Sequence, residues 1–218
     1  TVEPEYAKRG FAVFSSASCH RLDKDIPLII PEINSHHLDL IKKQKKNRGW
    51  NGCIVSKPNC TLQSYLLPLF PLHKSYHIDS ISVTNLQATS GGGKNWFLND
   101  NIIPFIKNEE EKSEMEPKKI LDQDVNISSQ CLRVPVNIGH LSCISASFKS
   151  KPVLAEIKNL WSVFRGVESH SAPSKPLIYF EEDHKPQPKK DIFYGRGMTV
   201  AIGRLRKCSV IRTGFSLV

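Results

Sequence analysis

The sequence lacks any apolar run close to the roughly 20 residues that a membrane-spanning helix needs, so no membrane partner is expected. It has no C-x-x-C pair, which removes the common zinc and dithiol redox motifs and leaves no metal expected. No internal repeat is visible. The opening residues Thr1-Val2-Glu3-Pro4-Glu5 carry two acids and no apolar core, so they do not read as an export signal. Six cysteines, at 19, 53, 60, 131, 143 and 208, are therefore expected as reduced thiols in a cytoplasmic chain. Most would act as small buried hydrophobes.

What is present is an ordinary globular composition. The chain has 218 residues, 39% hydrophobic and 23% charged, with a formal net charge of +9. That charge serves either a solvated surface or small phosphorylated ligands. The densest cluster, Lys42, Lys43, Lys45, Lys46 and Arg48, has no interleaved aromatics and no finger or RNP-type motif. Nucleic acid is therefore not an expected partner, and the cluster reads as a surface helix end.

Along the chain, Gly10 to Ser16 reads as a short buried strand around Phe11, Ala12, Val13 and Phe14. Leu28-Ile29-Ile30 reads as a second strand, and residues 37–46 as a helix. Cys53-Ile54-Val55 is a further strand ending at Pro58, followed by Leu62, Tyr65, Leu66 and Leu69 at helical spacing. Pro68 is expected to kink or end that helix. Residues 78–85 and 144–148 alternate as half-buried strands. Pro152 opens an amphipathic helix through Ile157, Trp161 and Phe164. Residues 169–190 read as an exposed loop, and residues 198–205 as a final strand. The expected class is α+β: a domain with a mixed, largely antiparallel sheet and flanking helices, preceded by the remnant of an α/β unit.

Cys60 stands where a strand gives way to a helix. There the helix dipole favours a thiolate, and turn N–H groups can receive an oxyanion. An inert buried thiol at a strand end fits the same position. A nucleophile also needs a base and a place for substrate charge; His140 and Arg133 are candidates, and spacing alone leaves the matter undecided. Glu109-Glu110-Glu111-Lys112 in isolation is a solvated helix face. Gly91-Gly92-Gly93 is a flexible turn, since no helix with an acidic ribose partner follows it.

Four blocks, in order, carry a resemblance. They are Ser15 to Arg21 with Pro27 to Asn34; Lys57-Pro58-Asn59-Cys60-Thr61; Asn85 to Gly93 with Asn101 to Lys112; and Cys131 to His140, echoed by Pro186-Gln187-Pro188 and Gly203-Arg204-Leu205-Arg206. Together they resemble the aspartate-semialdehyde dehydrogenase family, in its archaeal and fungal branch. The resemblance implies Cys60 as nucleophile and His140 as general acid/base. It implies substrate contacts from Arg21, Asn59, Gln87, Glu109, Lys112 and Arg133. Arg133 would clamp a carboxylate, Glu109 the substrate ammonium, and Lys112 and Arg21 the phosphate. Ser90, Gly91 and Gly92 would contact the cofactor, NADP. Ser16 and Ser56 depart from the asparagines common in the branch.

The implied reaction is NADPH-dependent reductive dephosphorylation of L-aspartyl-4-phosphate to the semialdehyde through a cysteine thioester, on the route to lysine, methionine and threonine. Implied domains are 1–58, a remnant of the Rossmann-type NADP-binding domain; 59–206, catalysis and dimerisation; and 207–218, the start of a cut-off C-terminal segment. The family's N-terminal glycine-rich loop and its closing helix are not in the sequence, so the chain is expected to be truncated at both ends. Whether it prefers NADP or NAD is not legible in it. A homodimer or dimer of dimers is implied. Two alternatives stand beside this reading: a related acyl reductase such as a malonyl-CoA reductase, and an inactive, truncated dimerisation module.

Overall fold

A computed structural model describes residues 2–93, 98–211 and 213–218. The chain forms two units: Thr1–Asn59 with Met115–Gln123, and Cys60–Glu114 with Asp124–Val218.

In the first unit, helix α1 (Glu3–Lys8) has Pro4 and acidic residues in its first turn, where a fixed φ and negative charge suit a helix start. Strand β1 (Ala12–Ser15), the single turn α2 (Pro31–Asn34), helix α3 (Leu40–Arg48) and strand β2 (Cys53–Ser56) follow. β1 and β2 pair in parallel, from Ala12↔Cys53 to Ser15↔Ser56. Their core is Ala7, Ile26 and Ile54, with Val13 and Trp50 packed on it. At Ile54 the outer edge of β2 is satisfied by one side chain. Gln44, fully buried, accepts from Ile54 N–H at 2.8 Å and donates to Ile54 O at 2.9 Å, as a neighbouring strand would.

Two expectations fail here. Phe11 and Phe14 are exposed, Phe14 by 82%. Side chains alternate across a strand, so Phe14 points away from the Val13 face that is covered within this unit, and Phe11 lies before the strand begins. Leu28-Ile29-Ile30 is not a strand; Leu28 forms a single parallel bridge to Ser56.

The second unit opens with α4 (Leu62–Tyr76), then β3 (Ile78–Gln87), α5 (Glu109–Ile120, counted with the first unit from Met115 on), β4 (Asn126–Arg133) and β5 (Leu141–Phe148). Helix α6 (Leu154–Val163), strand β6 (Leu177–Tyr179), the turn α7 (Pro188–Asp191) and strands β7 (Val200–Ile202), β8 (Arg206–Lys207) and β9 (Phe215–Leu217) complete it. Among the described residues the main sheet has the order β4-β3-β5-β9-β8. The β3–β4 pair is parallel, and the other three are antiparallel. This is the expected mixed, largely antiparallel sheet. A smaller parallel pair joins β6 to β7.

Helix α4 neither stops nor breaks at Pro68; it runs 15 residues through Pro68 and Pro71. A proline inside a helix costs about 3 kcal/mol. Burial of Leu62, Tyr65, Leu66, Leu67, Leu69 and Leu72, each worth roughly 1.5–3 kcal/mol when complete, outweighs it. Trp161, 2% exposed, donates from Nε1 to Pro68 O at 2.8 Å and ties α6 to α4. Residues 169–190 are not only loop, since they contain β6 and α7. Leu177 gains a buried place through its pairing with Val200.

In the first unit Arg48 grips Asp25 with both arms of its guanidinium, Nε to Oδ2 at 2.8 Å and Nη2 to Oδ1 at 2.6 Å. Hydrogen bonding to Arg48 holds the Asp25 carboxyl below its ordinary pKa. A depressed carboxylate stabilises the fold above its unfolded pKa and loses that contribution as pH falls through the folded value. Asp25→Asn is therefore expected to lower stability at pH 7 by about 1 kcal/mol. Urea unfolding should show that difference shrinking as pH falls below about 3.9, the ordinary aspartate value. A difference that persists there would contradict the assignment.

Candidate active site

The end of β3 builds the site. Its buried face is apolar at Ile81 and Val83 and then turns polar at Asn85 and Gln87, which are 0% and 1% exposed. Buried polar groups must be paired. Asn85 Nδ2 lies 3.2 Å from Ser113 Oγ and 3.3 Å from Ser129 Oγ, and its Oδ1 accepts from Ser142 Oγ at 2.8 Å. Gln87 Nε2 donates to Glu109 Oε2 at 2.9 Å, and Glu109 Oε1 accepts from Lys112 Nζ at 2.8 Å. Three of the sequence candidates are thus one hydrogen-bonded chain.

Beyond β3, Ala88 is fastened by two more candidates. Its N–H donates to His140 Nδ1 at 3.0 Å, and its carbonyl accepts from Arg133 Nη1 at 2.7 Å. Arg133 is 3% exposed. Burial pushes its guanidinium below the ordinary value, and the nearby Cys60 and Glu109 pull it back. Gly91 sits against both side chains: a Cβ there would lie 2.9 Å from Arg133 Nη1 and 3.1 Å from His140 Cε1. Gly139, at φ +91, lets the turn before His140 close on Ile192 of the α7 segment.

Cys60 is exposed, in the turn that starts α4. It shares a cavity of about 230 Å³ with His140, Ser64, Ser142, Gln187 and Asp191, walled by Pro186, Pro188, Ile192 and Val200. A thiol ahead of a 15-residue helix feels the positive end of its dipole. Burial instead pushes the thiols of Cys131 and Cys143 up, toward the inert protonated form. No disulfide joins any of the six cysteines.

Arg21 and Asn59 belong to the first unit. Arg21, 7% exposed, donates from Nη1 to Glu116 Oε1 at 2.9 Å and from Nη2 to Ser16 O at 2.9 Å. The amide of Asn59 donates to Glu116 Oε2 at 2.7 Å. Glu116, 1% exposed, went unnoticed in the sequence, where it was one acid among several in an acidic run. Asp191 was also missed. It accepts from Gln187 N–H at 2.7 Å, and its four-residue spacing from Gln187 was the available signal. Ser90, Gly91 and Gly92 lie in a short 3₁₀ turn at Thr89–Gly92.

Two first-unit groups have metal-ligand chemistry, Glu3–Cys19–His20 and His36–His37–Asp122. In the second, Asn34 Nδ2 lies 3.0 Å from His37 Nδ1 and also donates to Leu28 O. His37 therefore presents an N–H to Asp122, a hydrogen bond rather than a ligand.

Residues 69–218 match the semialdehyde dehydrogenase dimerisation domain, and residues 1–41 match the NAD binding domain of the same group. The chain belongs to the semialdehyde dehydrogenase family. An aspartate-semialdehyde dehydrogenase of the archaeon Archaeoglobus fulgidus is 41% identical over 94% of this chain and 64% of that one. A malonyl CoA reductase (NADP) of Metallosphaera sedula is 31% identical over 94% and 64%. A crystal structure of aspartate semialdehyde dehydrogenase with NADP from Candida albicans matches at a TM-score of 0.86, with 32% identity, over 99% of this chain and 67% of that one. The chain thus spans 64% of the length of both curated relatives. Among the described residues no helix is long and apolar enough to cross a membrane.

In this family member Arg133 cannot swing aside, because it is buried and bound to Ala88 O. Gly91→Ala is therefore expected to displace His140 and to lower turnover about ten- to a hundredfold. The thermal midpoint should change little, since the turn is exposed. Unchanged turnover would show that this close approach has no bearing on the chemistry.

Proposed function

We propose that the chain carries the catalytic machinery for reductive dephosphorylation of L-aspartyl-4-phosphate to L-aspartate-4-semialdehyde, a step of amino-acid biosynthesis leading to lysine, methionine and threonine. The observation that carries this reading is the shared cavity of Cys60 and His140, with Arg133 and the Gln87–Glu109–Lys112 chain fixed around the end of β3. The reading is built on second-unit residues alone.

Cys60 attacks the acyl carbon as a thiolate. The C–S bond forms, the carbon–oxygen bond to phosphate breaks, and phosphate leaves with the electron pair, giving a thioester. His140 serves as the general acid/base. Arg133 presents a planar guanidinium, suited to the substrate α-carboxylate. Gln87 and Glu109 serve the acyl and ammonium groups, and Lys112 the phosphate.

The residues present fit the nicotinamide end of NADP. The cavity beside Cys60 has the apolar walls that a flat ring needs, with Gln187 and Thr199 as polar groups. At Gly91 the absence of a side chain leaves the turn Ser90–Gly92 close to His140. These residues would hold that end of the cofactor, which when bound supplies the hydride that reduces the thioester. We further propose a homodimer through the domain at residues 69–218, supported by the dimerisation role of the matching model.

A second reading, reduction of malonyl-CoA, is favoured by the Metallosphaera sedula relative. It uses the same Cys60 and His140 but gives Glu109 no ammonium to bind. Assays with both substrates separate the two: turnover of malonyl-CoA alone would displace the first reading. In the full-length protein, Cys60→Ala is expected to reduce turnover by about 10⁴ or more. Unchanged turnover would remove Cys60 from the chemistry.

A further inference from the structure

We propose that Asp191 accepts a hydrogen bond from the carboxamide N–H of the nicotinamide and serves as counter-charge to its oxidised, positively charged ring. The inference deepens the reading above: it rests on the fit of the Cys60 cavity to the nicotinamide end of NADP.

Asp191 closes the single turn α7, and its carboxylate reaches back four residues. Gln187 N–H donates to Asp191 Oδ2 at 2.7 Å, while Asp191 N–H donates to Gln187 O at 2.8 Å. This is the reciprocal arrangement of a helix cap. A capping carboxylate ordinarily sits at the surface, where water takes its second oxygen. Asp191 is instead 4% exposed. The next residue, Ile192, is seated against the turn before His140, so closely that a Cβ on Gly139 would collide with Ile192 Cγ2. The α7 segment therefore cannot swing the carboxylate out to solvent.

The cap uses one oxygen. Among the described residues, the Asp191 side chain has no second hydrogen bond and no ion pair. Its Oδ1 is nevertheless not one of the sealed polar atoms that lack a partner. Asp191 lines the cavity of Cys60 and His140, so this oxygen meets the open space of that cavity. The walls around it are apolar, formed by Pro186, Pro188, Ile192, Val200 and Ala201. A carboxylate in such surroundings is costly to leave unpaired. It suits a ligand that brings an N–H donor, a positive charge, or both.

The nicotinamide end of the cofactor brings both. Its carboxamide carries an N–H donor beside a flat ring that proline and aliphatic walls can hold. The oxidised ring is positively charged and the reduced ring is neutral, so a fixed carboxylate binds the oxidised form more tightly. As hydride passes to the thioester, positive charge grows on the ring, and Asp191 stabilises it where water is scarce. Neither the acyl group nor the phosphate needs this carboxylate. Asp191 is thus a cofactor-binding residue that favours the oxidised state.

Titration of the full-length protein with NADP+ and with NADPH, without substrate, tests this by calorimetry. Asp191→Asn keeps the shape and an oxygen for Gln187 N–H, but it removes the charge. The Kd for NADP+ is expected to rise about tenfold more than the Kd for NADPH, with the thermal midpoint of the free protein unchanged within about 3 °C. A lowered midpoint with both affinities intact would make Asp191 a helix cap only and overturn the proposal. An equal rise for the two forms also overturns it. So does a variant that keeps both affinities and loses only KM for aspartyl phosphate, since the carboxylate would then serve the substrate ammonium. The wild type alone gives a second test with the 3-acetylpyridine analogue of NADP+, which keeps the carbonyl and lacks the N–H. It should bind about tenfold more weakly than NADP+, and Asp191→Asn should lose that discrimination; equal binding by the wild type removes the hydrogen bond. Failure of the wild type to bind either cofactor form overturns the cavity reading itself, whereas the nucleophile assignment is decided separately by Cys60→Ala.

Discussion

The central strand of the second unit must stay fully hydrogen-bonded while its buried face changes from apolar to polar. Ile81 and Val83 pack as ordinary core; two and four residues further on, Asn85 and Gln87 occupy the same face with almost no exposure. Every polar group brought into that interior needs a partner. Ser142 on β5, Ser113 on α5 and Ser129 on β4 answer Asn85; Glu109 on α5 answers Gln87. The four partners come from three different elements, so satisfying one strand fixes β4, β5 and α5 around it. The same demand continues at Ala88, whose two backbone groups capture His140 and Arg133. The candidate site is the place where this polar core reaches the surface.

Helix α5 shows how the demand reshapes a stretch that looks merely acidic. Glu110 accepts from Cys131 N–H at 3.1 Å, and Glu114 from Ser129 N–H at 3.0 Å. Two carboxylates four residues apart on one helix face thus occupy alternate N–H groups along the open edge of β4. An edge strand covered in this way is not available for pairing with another chain. Further along the helix, Lys119 Nζ donates to the carbonyls of Arg21, Asp23 and Ile26 at 2.6–2.8 Å, which anchors the loop that carries Arg21. Glutamate and lysine in this helix are structural partners as much as surface charge.

Legibility varied with the range of the interaction involved. The strand at Cys53–Ser56, the α6 pattern and the alternation of β3 and β5 were readable because they depend on local periodicity. The candidate residues were readable because their motifs are short and ordered. Strand β4 went unread, because its run of Asn, Ser and Gln has no apolar alternation; its place is set by pairing with β3 and by the carboxylates of α5. The passage of α4 through Pro68 and Pro71 was hidden for a similar reason. Local propensity argues against it, and only burial against α6 and the sheet outweighs that cost. Phe14 erred in the opposite direction, apolar in type yet exposed, because burial depends on which face of a strand another element covers.

By itself the sequence determined the α+β class, the family resemblance and the identity of the chemical groups, since these follow from residue type, order and local period. It placed Cys60 at a helix start and put His140 and Arg133 in the same motif. The tertiary structure decided what each group faces. It turned an acidic run into the partners of Gln87, Cys131 and Ser129, and gave Glu116 a buried place between Arg21 and the amide of Asn59. It also set the Ala88 amide against one nitrogen of His140. Those outcomes rest on hydrogen bonds between residues tens of positions apart, whose direction is fixed only when the strands and helices have packed.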